Sequence, residues 1–459
     1  MIGMRQSFRI SALTAALLSL LITGAAPAAT ITVNSLADPG APGICALRDA
    51  IAASNTKIAT NGCSAGSGND VIDFGVKGTI LLENPLPTVR HQLSISGPAS
   101  PGITIDGGSK VRMVQVALHA TLNLKDLTIA NCLSDLAGAI LNNGILRITN
   151  SRVSGNRGFS SEYLSLGGAI VNYGKLMIAN STFSGNSADT AGGIYNKEAA
   201  TLTVINSSFS GNSATYSGGG IYNYGTLTVT DSTFSGNSSP LGGAILNDET
   251  LTVTSSTFFG NGADQGDGGG ILNGQTLTVT NSTFSGNRAH SGGGIYNVGT
   301  LTVTSSTFSA NSALASARSG GADIDNAAGT ASVKSTILAA SGGVGNCAGT
   351  IVDVGYNISD DTTCGFTPTG SAKNGDDIDP LLSPAGLASN GGPTQTIELK
   401  SDSAAIDAIP VADCTDQTSP PNPITTDQRG LRRPDAREQF CDIGAYESQA
   451  FTGGLEPGN

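Results

Sequence analysis

The chain has 459 residues, of which 62 are glycine and none is tryptophan, and only 13% carry a charge. This composition excludes a conventional aromatic-rich core, while the recurring Ile, Leu and Val residues exclude a disordered chain. The formal net charge of −12 argues against nucleic acid or an acidic membrane surface as a partner. A repetitive β architecture fits these properties.

The first predicted element is a secretory signal peptide over residues 1–28. Arg5 and Arg9 precede an apolar stretch (ALTAALLSLLITG), and an A-x-A cleavage pattern ends at Ala28. The stretch is too short for a membrane-spanning helix and no second one follows it, so we expect no transmembrane span in the mature chain. The sequence therefore predicts a secreted protein, extracellular or at the outer-membrane surface.

Cysteine spacing predicts disulfides rather than a metal site. Six of the seven cysteines form three pairs that are close in sequence, and none belongs to a C-x-x-C motif. In an exported protein we expect such pairs to be bridged, each bridge stabilising by about 2–4 kcal/mol. The predicted bridges are Cys45–Cys63, Cys347–Cys364 and Cys414–Cys441. Cys132 is then most simply a buried small apolar residue.

Residues 29–70 precede the repeats and contain the best helix candidate of the mature chain, CALRDAI at 45–51. Leu47, Ala50 and Ile51 share one face of that helix. A short amphipathic helix over the first coil of a β stack would shield unpaired strand edges from aggregation. We therefore interpret 29–70 as an N-terminal cap.

Residues 71–345 are dominated by a repeat of about 24 residues, of which one unit reads GGGIYNYGTLTVTDSTFSGNSS. In TLTVT the apolar residues alternate with threonine, so Leu227 and Val229 face inward and the threonines face outward. Ile221 and Phe234 add one inward side chain from each flanking segment. One such coil cannot fold alone, because its burial is smaller than the entropy lost on ordering it.

Corners between the extended segments are predicted at the glycines and at Asn223 and Asn237, because both residue types tolerate left-handed backbone. Three short strands with three corners describe one coil of an all-β, single-stranded parallel β-helix. The segments that follow each FSGN word differ in length and content, which predicts loops projecting along one edge. From residue 346 the repeat ends and Pro, Asp and Cys increase, which predicts a separate module at 346–447 and a tail at 448–459.

Several of these sequence motifs resemble motifs of known protein families. GGAI and FSGN resemble the repeats of polymorphic outer membrane proteins, which adopt right-handed parallel β-helices, and CALRDAI resembles the start of the CSLREA domain. NGGPTQT, SAAID, TDQRG and CDIGAYE, in that order from residue 390, resemble the choice-of-anchor Q domain. The resemblance implies a right-handed, pectin lyase-like solenoid with a CSLREA-like cap, a choice-of-anchor Q-like module and an adhesin-like or structural role outside the cell.

The positions of the acidic residues bear on whether this scaffold is an enzyme. Polysaccharide lyases and glycoside hydrolases need converging carboxylates or a carboxylate-bound Ca²⁺. Asp231 occupies a column otherwise filled by Asn and Ser, which predicts a turn role, and Asp264 and Asp267 fall in a variable segment. Asp323 and Asp325 are the best acidic pair, and we interpret them as the end of the column rather than as a catalytic dyad. No catalytic, cofactor or metal site is therefore predicted.

A further column directly follows the inward isoleucine of each repeat. Strict alternation points it outward, as an apolar stripe whose candidate binding residues are Tyr195, Tyr222 and Tyr296. The other members are Val171, Leu246 and Leu272. The stripe could meet a surface glycan or a protein; alternatively it lies beneath the variable loops or the C-terminal module, which we favour.

Two functional hypotheses follow. The favoured one is a non-catalytic secreted or cell-surface scaffold that displays loops, and the alternative is a carbohydrate-active enzyme on the same scaffold. Three acids within about 8 Å of one another in a groove would favour the enzyme. Scattered acids and an uninterrupted Thr/Ser/Asn surface would favour display.

Overall fold

The computed structural model describes residues 28–99, 102–314, 320–342, 344–370, 373–436 and 438–449. The predicted signal peptide and most of the predicted tail lie outside these residues. Within them the chain forms a right-handed parallel β-solenoid of about eleven turns, with one short α-helix and three disulfides. The predicted fold class is confirmed.

Each regular coil contributes one strand to each of three parallel sheets. Sheet 1 is formed by short strands, most of them Ile-x-Asn, in which the isoleucine and the asparagine face inward. Its ten strands are Val114–Val116, Ile140–Asn142, Ile170–Asn172, Ile194–Asn196, Ile221–Asn223, Ile245–Asn247, Ile271–Asn273, Ile295–Asn297, Ile324–Asn326 and Cys347–Gly349.

Sheet 2 is the longest and contains the TLTVT strands. Leu227 and Val229 are fully buried, as predicted, and Leu227 pairs with Leu202 and Leu251 of the adjacent coils. Its thirteen strands are Thr30–Val33, Asn69–Phe74, Gln92–Ser96, Thr121–Lys125, Ile145–Thr149, Lys175–Ala179, Thr201–Ile205, Thr226–Thr230, Thr250–Thr254, Thr276–Thr280, Thr300–Thr304, Thr330–Lys334 and Val352–Asp353.

Sheet 3 carries the phenylalanine column. Six inward rings, from Phe183 to Phe308, stack with successive centroids 4.7 to 4.9 Å apart, as the spacing of adjacent strands requires. Its twelve strands are Gly78–Leu81, Ile103–Asp106, Leu127–Ala130, Arg152–Ser154, Thr182–Ser184, Ser208–Ser210, Thr233–Ser235, Thr257–Phe259, Thr283–Ser285, Thr307–Ser309, Ile337–Ala339 and Ile358–Ser359.

The asparagines assigned to corners lie instead inside the column. At the corner before Asn237 the left-handed residue is Gly236, with a φ of 61°. Asn237 is fully buried and donates from Nδ2 to Oδ1 of Asn261 at 2.9 Å, continuing a ladder that runs from Asn156 to Asn311. The Ile-x-Asn residues form a second ladder. The corner prediction for Asn223 and Asn237 was therefore wrong, because stacked amides satisfy one another inside the core.

The variable segments begin in extended strands rather than as free loops, although the longest one leaves its strand after Gly158 and projects, with Tyr163 79% exposed. They form a fourth parallel ladder after sheet 3, and its strands are Leu133–Ser134, Arg157–Gly158, Ser187–Thr190, Ser213–Ser217, Gly262–Asp267, Arg288–Ser291 and Ser312–Ala313. Isolated bridges from Ser213 to Ser238 and from Ser238 to Gly262 join its two halves. The predicted three-strand coil is thus corrected to a coil with a fourth short extended segment, and a projecting loop remains in the longest variable segment.

The α-helix spans Leu47–Thr56 at the N-terminal end and buries Leu47, Ala50 and Ile51 in the solenoid core. The parallel ladders extend past 71–345 at both ends, because Thr30–Val33 joins sheet 2 and Cys347–Gly349 joins sheet 1. The disulfides join Cys45 to Cys63, Cys347 to Cys364 and Cys414 to Cys441, which confirms the predicted pairs. Burial raises the pKa of the Cys132 thiol to about 12, as expected for an inert packed residue.

The C-terminal segment folds back onto the outer face of sheet 3. It contains two small antiparallel pairs, Leu382–Ala388 with Thr396–Leu399 and Ile409–Pro410 with Phe440–Cys441, and a 3-10 turn at Val411–Asp413. Gln428 lies at the contact and accepts a 2.6 Å hydrogen bond from the Thr283 hydroxyl. Behind it, Arg433 and Glu447 form a buried ion pair at 2.8 Å. Among the described residues, no helix is long and apolar enough to cross a membrane.

Candidate functional site

The outer face of sheet 2 carries a regular array of threonines. Four consecutive TLTVT strands pair in register, so that their outward threonines form three columns of four. The strands are Thr226–Thr230, Thr250–Thr254, Thr276–Thr280 and Thr300–Thr304, and none contains a charged residue. The C-terminal module reaches this array at its lower edge, where Gln417 donates to Thr304 at 3.0 Å. The rest of this uncharged, hydroxyl-bearing face is open to solvent.

The apolar stripe lies largely beneath neighbouring side chains. Tyr195 is only 7% exposed and packs with Val171 and Ala191, with Leu166 of the variable edge against them. Tyr222 is half-buried and donates its hydroxyl to Asp248 at 2.7 Å.

Tyr296 is also partly exposed, near the opposite end of the stripe. The part of the stripe around Val171 and Tyr195 therefore lies beneath the variable segments, as the favoured interpretation expects. Tyr222 and Tyr296 retain some accessible surface.

The acidic residues of the repeats are mostly separate from one another. Asp231 has a φ of 50° in a column of left-handed residues, which agrees with the turn interpretation. Asp264 lies on the fourth ladder and forms an ion pair with Arg288 at 3.1 Å. No cluster of three His, Cys, Asp or Glu side chains that could hold a metal ion occurs among the described residues.

Asp267 and Asp325 are the exception to this separation. Their positions in the sequence did not predict that the two carboxyl groups interact. Asp325 follows Tyr296 in the same outward column of sheet 1, so the stripe ends in a carboxylate that is 4% exposed. Burial and the charge of Asp267 raise the pKa of Asp325 to about 6. Burial also raises the pKa of Asp267, and His290 opposes that shift. Two carboxyls on coils two apart therefore interact at the downstream end of the stripe.

Asp323 does not join this pair. It is fully buried, and its Oδ1 accepts hydrogen bonds from Asn311 Nδ2 at 2.8 Å and from the Ser341 hydroxyl at 2.6 Å. It therefore ends the asparagine ladder inside the core. Burial raises its pKa to about 8, so the buried side chain favours its neutral form, as interior carboxyls do.

We expect Asp323→Asn to stabilise the protein at alkaline pH. Because the folded-state pKa lies above the unfolded value, the folded state binds more protons and wild-type stability falls as pH rises from about 4 through about 8. The amide cannot ionise, so relative to the wild type the variant should gain at most about 1.4 kcal/mol for each pH unit between 4 and 8, and little near pH 4. Thermal melts of both proteins across this range measure the difference. A variant equally destabilised at both pH values would contradict this role.

In the part of the chain that the structure describes, two elongated depressions lie on the outside of the solenoid. The first runs along sheet 3 as adjoining cavities of 510 and 330 Å³ that share Asn180 and Thr182. Pro98 lines its upper end, Pro393 of the C-terminal module lines its lower end, and Asp231 lies in its floor. The module thus covers the lower part of the sheet 3 face and leaves the upper part accessible.

The second depression follows the fourth ladder, and we call it the trench. Its adjoining cavities of 350 and 300 Å³ share Ala214 and Thr215. Phe159 and Asp189 line the upper cavity, and Asp264 lines the lower one. Sequence reasoning directed attention to these segments as loops but did not identify these residues as one surface. The sequence pattern that could have identified this surface is the strand alternation after each FSGN motif. It points the first and third residues after the motif outward.

A comparison with protein-family models agrees with this architecture. The model described as "Right handed beta helix region" matches residues 167–338. The match covers less than half of the chain, and the structure shows the right-handed β-helix fold. No curated protein and no solved structure gives a significant match. The β-helix match covers the regular coils that form the threonine array and most of the trench.

Proposed function

We propose that this β-helix protein is a secreted or cell-surface scaffold, adhesin-like or structural, that binds without catalysing a reaction. The observation that carries the proposal is the threonine array on the outer face of sheet 2. Four coils in register present hydroxyls without an acidic side chain among them. Such a surface offers hydrogen bonds to a partner but no group able to transfer a proton at neutral pH.

Sequence features support placing this scaffold outside the cell. They are the predicted signal peptide, the three disulfides, and the resemblance to polymorphic outer membrane protein repeats, to the CSLREA segment and to the choice-of-anchor Q domain. Disulfides persist in oxidising compartments and are rare in the cytosol. A partner is then a surface glycan or a protein, since the acidic chain repels nucleic acid.

Fractionation of cells that express the full chain tests this proposal. We expect the protein in the medium or accessible to a membrane-impermeant biotin reagent on intact cells, with its cysteines oxidised. A cytosolic protein labelled in parallel shows whether the cells remain sealed. Recovery of the chain only in the cytosol, with reduced cysteines, would refute the proposal.

A carbohydrate-active enzyme is the second candidate, and the Asp267–Asp325 pair favours it. A glycosidase requires one protonated and one ionised carboxyl. A carboxyl with a pKa of about 6 beside a second carboxyl meets the first part of that requirement. Asp325 is, however, 4% exposed, which limits the access of a polysaccharide and makes catalysis the less supported function.

A further inference from the structure

The trench results from the size of the outward side chains on the fourth ladder. Successive first positions along it are occupied by Arg157, Ser187, Ser213, Ser238, Gly262 and Arg288, which pair in sequence from coil to coil. Four small residues thus lie between two arginines. Five strand spacings separate the two arginines, a distance of about 24 Å. The small side chains leave a recessed floor, and the two arginine side chains project above it at either end.

Each end of the trench is held in place by a side-chain contact. At the upper end the Arg157 guanidinium lies 4.8 Å from the centroid of the Phe159 ring, which is 50% exposed. At the lower end Arg288 pairs with Asp264 at 3.1 Å. With Asp189, the trench has two positive and two negative side chains, so its charges balance. An occupant that depends on net charge is not favoured by this surface.

The floor cannot bind an extended peptide as an additional strand. The backbone N–H groups of Ser187, Ser213 and Ser238 already donate to asparagine carbonyls of the preceding coil, at 2.9 Å in each case. Addition of a strand requires an unpaired edge, and these residues are interior members of a ladder. Recognition must therefore come from side chains: hydroxyls on the floor and a carboxylate beside it.

That carboxylate belongs to Asp189 and is held rigidly. Its Oδ2 accepts hydrogen bonds from the backbone N–H and the hydroxyl of Ser165, at 3.0 and 2.9 Å. A fixed carboxylate between serine hydroxyls matches a ligand rich in hydroxyl donors. The half-exposed ring of Phe159 adds a flat apolar surface, on which the C–H face of a sugar ring packs.

We propose that the trench binds a neutral oligosaccharide chain, with a sugar ring on Phe159 and its hydroxyls bonded to Asp189 and the serine floor. The proposal rests on the non-catalytic scaffold function and assigns it a ligand class and a site. The length of the trench accommodates several linked sugar rings. The balanced charge of its walls selects against polyuronates, which the acidic chain also repels.

Calorimetric titration of the full chain tests this assignment. The probes are neutral hexaoses of glucose (β-1,4 and β-1,3 linked), N-acetylglucosamine and mannose, with hexagalacturonate as the anionic comparison. We expect at least one neutral hexaose to bind with a Kd of about 10–100 μM and hexagalacturonate to bind more weakly. Phe159→Ala and Asp189→Asn should each weaken binding about tenfold.

Ser213→Arg fills the centre of the floor with an outward side chain and should abolish binding. Thr203→Arg, an equally outward change on the sheet 2 strand Thr201–Ile205 outside the threonine array, is the matched control and should leave the Kd unchanged. Equal Tm values would show that each variant folds. The assignment is overturned if no neutral hexaose binds, if hexagalacturonate binds best, or if Ser213→Arg retains wild-type affinity. If the protein is recovered at the cell surface but binds no hexaose, the trench proposal is refuted and the scaffold proposal is not.

Discussion

Asn237→Ala lowers the free energy of unfolding by about 4 kcal/mol in our expectation, because it interrupts the buried asparagine ladder. Oδ1 of Asn237 accepts from the backbone N–H and from Nδ2 of Asn212, at 3.1 and 2.9 Å. Its Nδ2 donates to the Phe209 carbonyl and to Asn261 Oδ1, both at 2.9 Å. The alanine leaves these partners unsatisfied where no water reaches them. Equilibrium denaturation in urea measures the loss.

Asn180→Gly is the matched control for this variant. Asn180 is exposed and has a φ of 49° in the outer turn column, a conformation that glycine adopts without strain. We expect a change of about 1 kcal/mol or less. Comparable losses from the two substitutions would show that the interior ladder contributes no more than an outer turn.

Phe258→Ala should cost about 3–5 kcal/mol, since it opens a cavity in the continuous ring stack. The Phe258 ring is fully buried, with centroids 4.9 Å from Phe234 and 4.7 Å from Phe284, nearly parallel to both. Neighbouring coils cannot close the gap, because the strand ladders on either side fix their spacing. The same urea titration measures the effect.

The chain provides an internal control at the next residue. Phe259 points outward from the same strand and is 45% exposed, so Phe259→Ala should cost about 1 kcal/mol or less. A large difference between two adjacent phenylalanines is the result expected from strand alternation. Similar losses at both positions would mean that the inward and outward faces have been assigned incorrectly.

The regular part of the fold was predictable because its signals are local. Alternation over five residues is enough to orient Leu227 and Val229, and repetition about every 24 residues requires stacking. The disulfide pairs were predictable because their partners are 17 to 27 residues apart. The helix face followed from the spacing of Leu47, Ala50 and Ile51.

The asparagine ladders and the fourth ladder were not predictable, for different reasons. Asn237 could equally occupy a left-handed corner or an interior amide stack, and its own segment does not distinguish them. The strands of the fourth ladder span as few as two residues, such as Arg157–Gly158, which is too short for alternation to be recognised. Their pairing becomes visible only when the coils are stacked.

Asp267 and Asp325 come together because of a register shift between two strands, which the sequence does not reveal. The pairing between Gly262–Asp267 and Arg288–Ser291 shifts register between Ala263 and Asp267. Counting residues along regular repeats therefore misplaces Asp267. The docking of the C-terminal module was equally inaccessible, because Gln428 and Thr283 are 145 residues apart.

The most direct test of a scaffold that binds without catalysing a reaction is whether the protein cleaves an oligosaccharide that it binds. The hexaose with the highest affinity is incubated with the full chain at pH 5 to 7 and then analysed by mass spectrometry. This range includes the pKa of about 6 assigned to Asp325. We predict recovery of the intact hexaose, identical for wild type and Asp325→Asn. Shorter products formed by the wild type and absent with Asp325→Asn would contradict the account and assign catalysis to the Asp267–Asp325 pair.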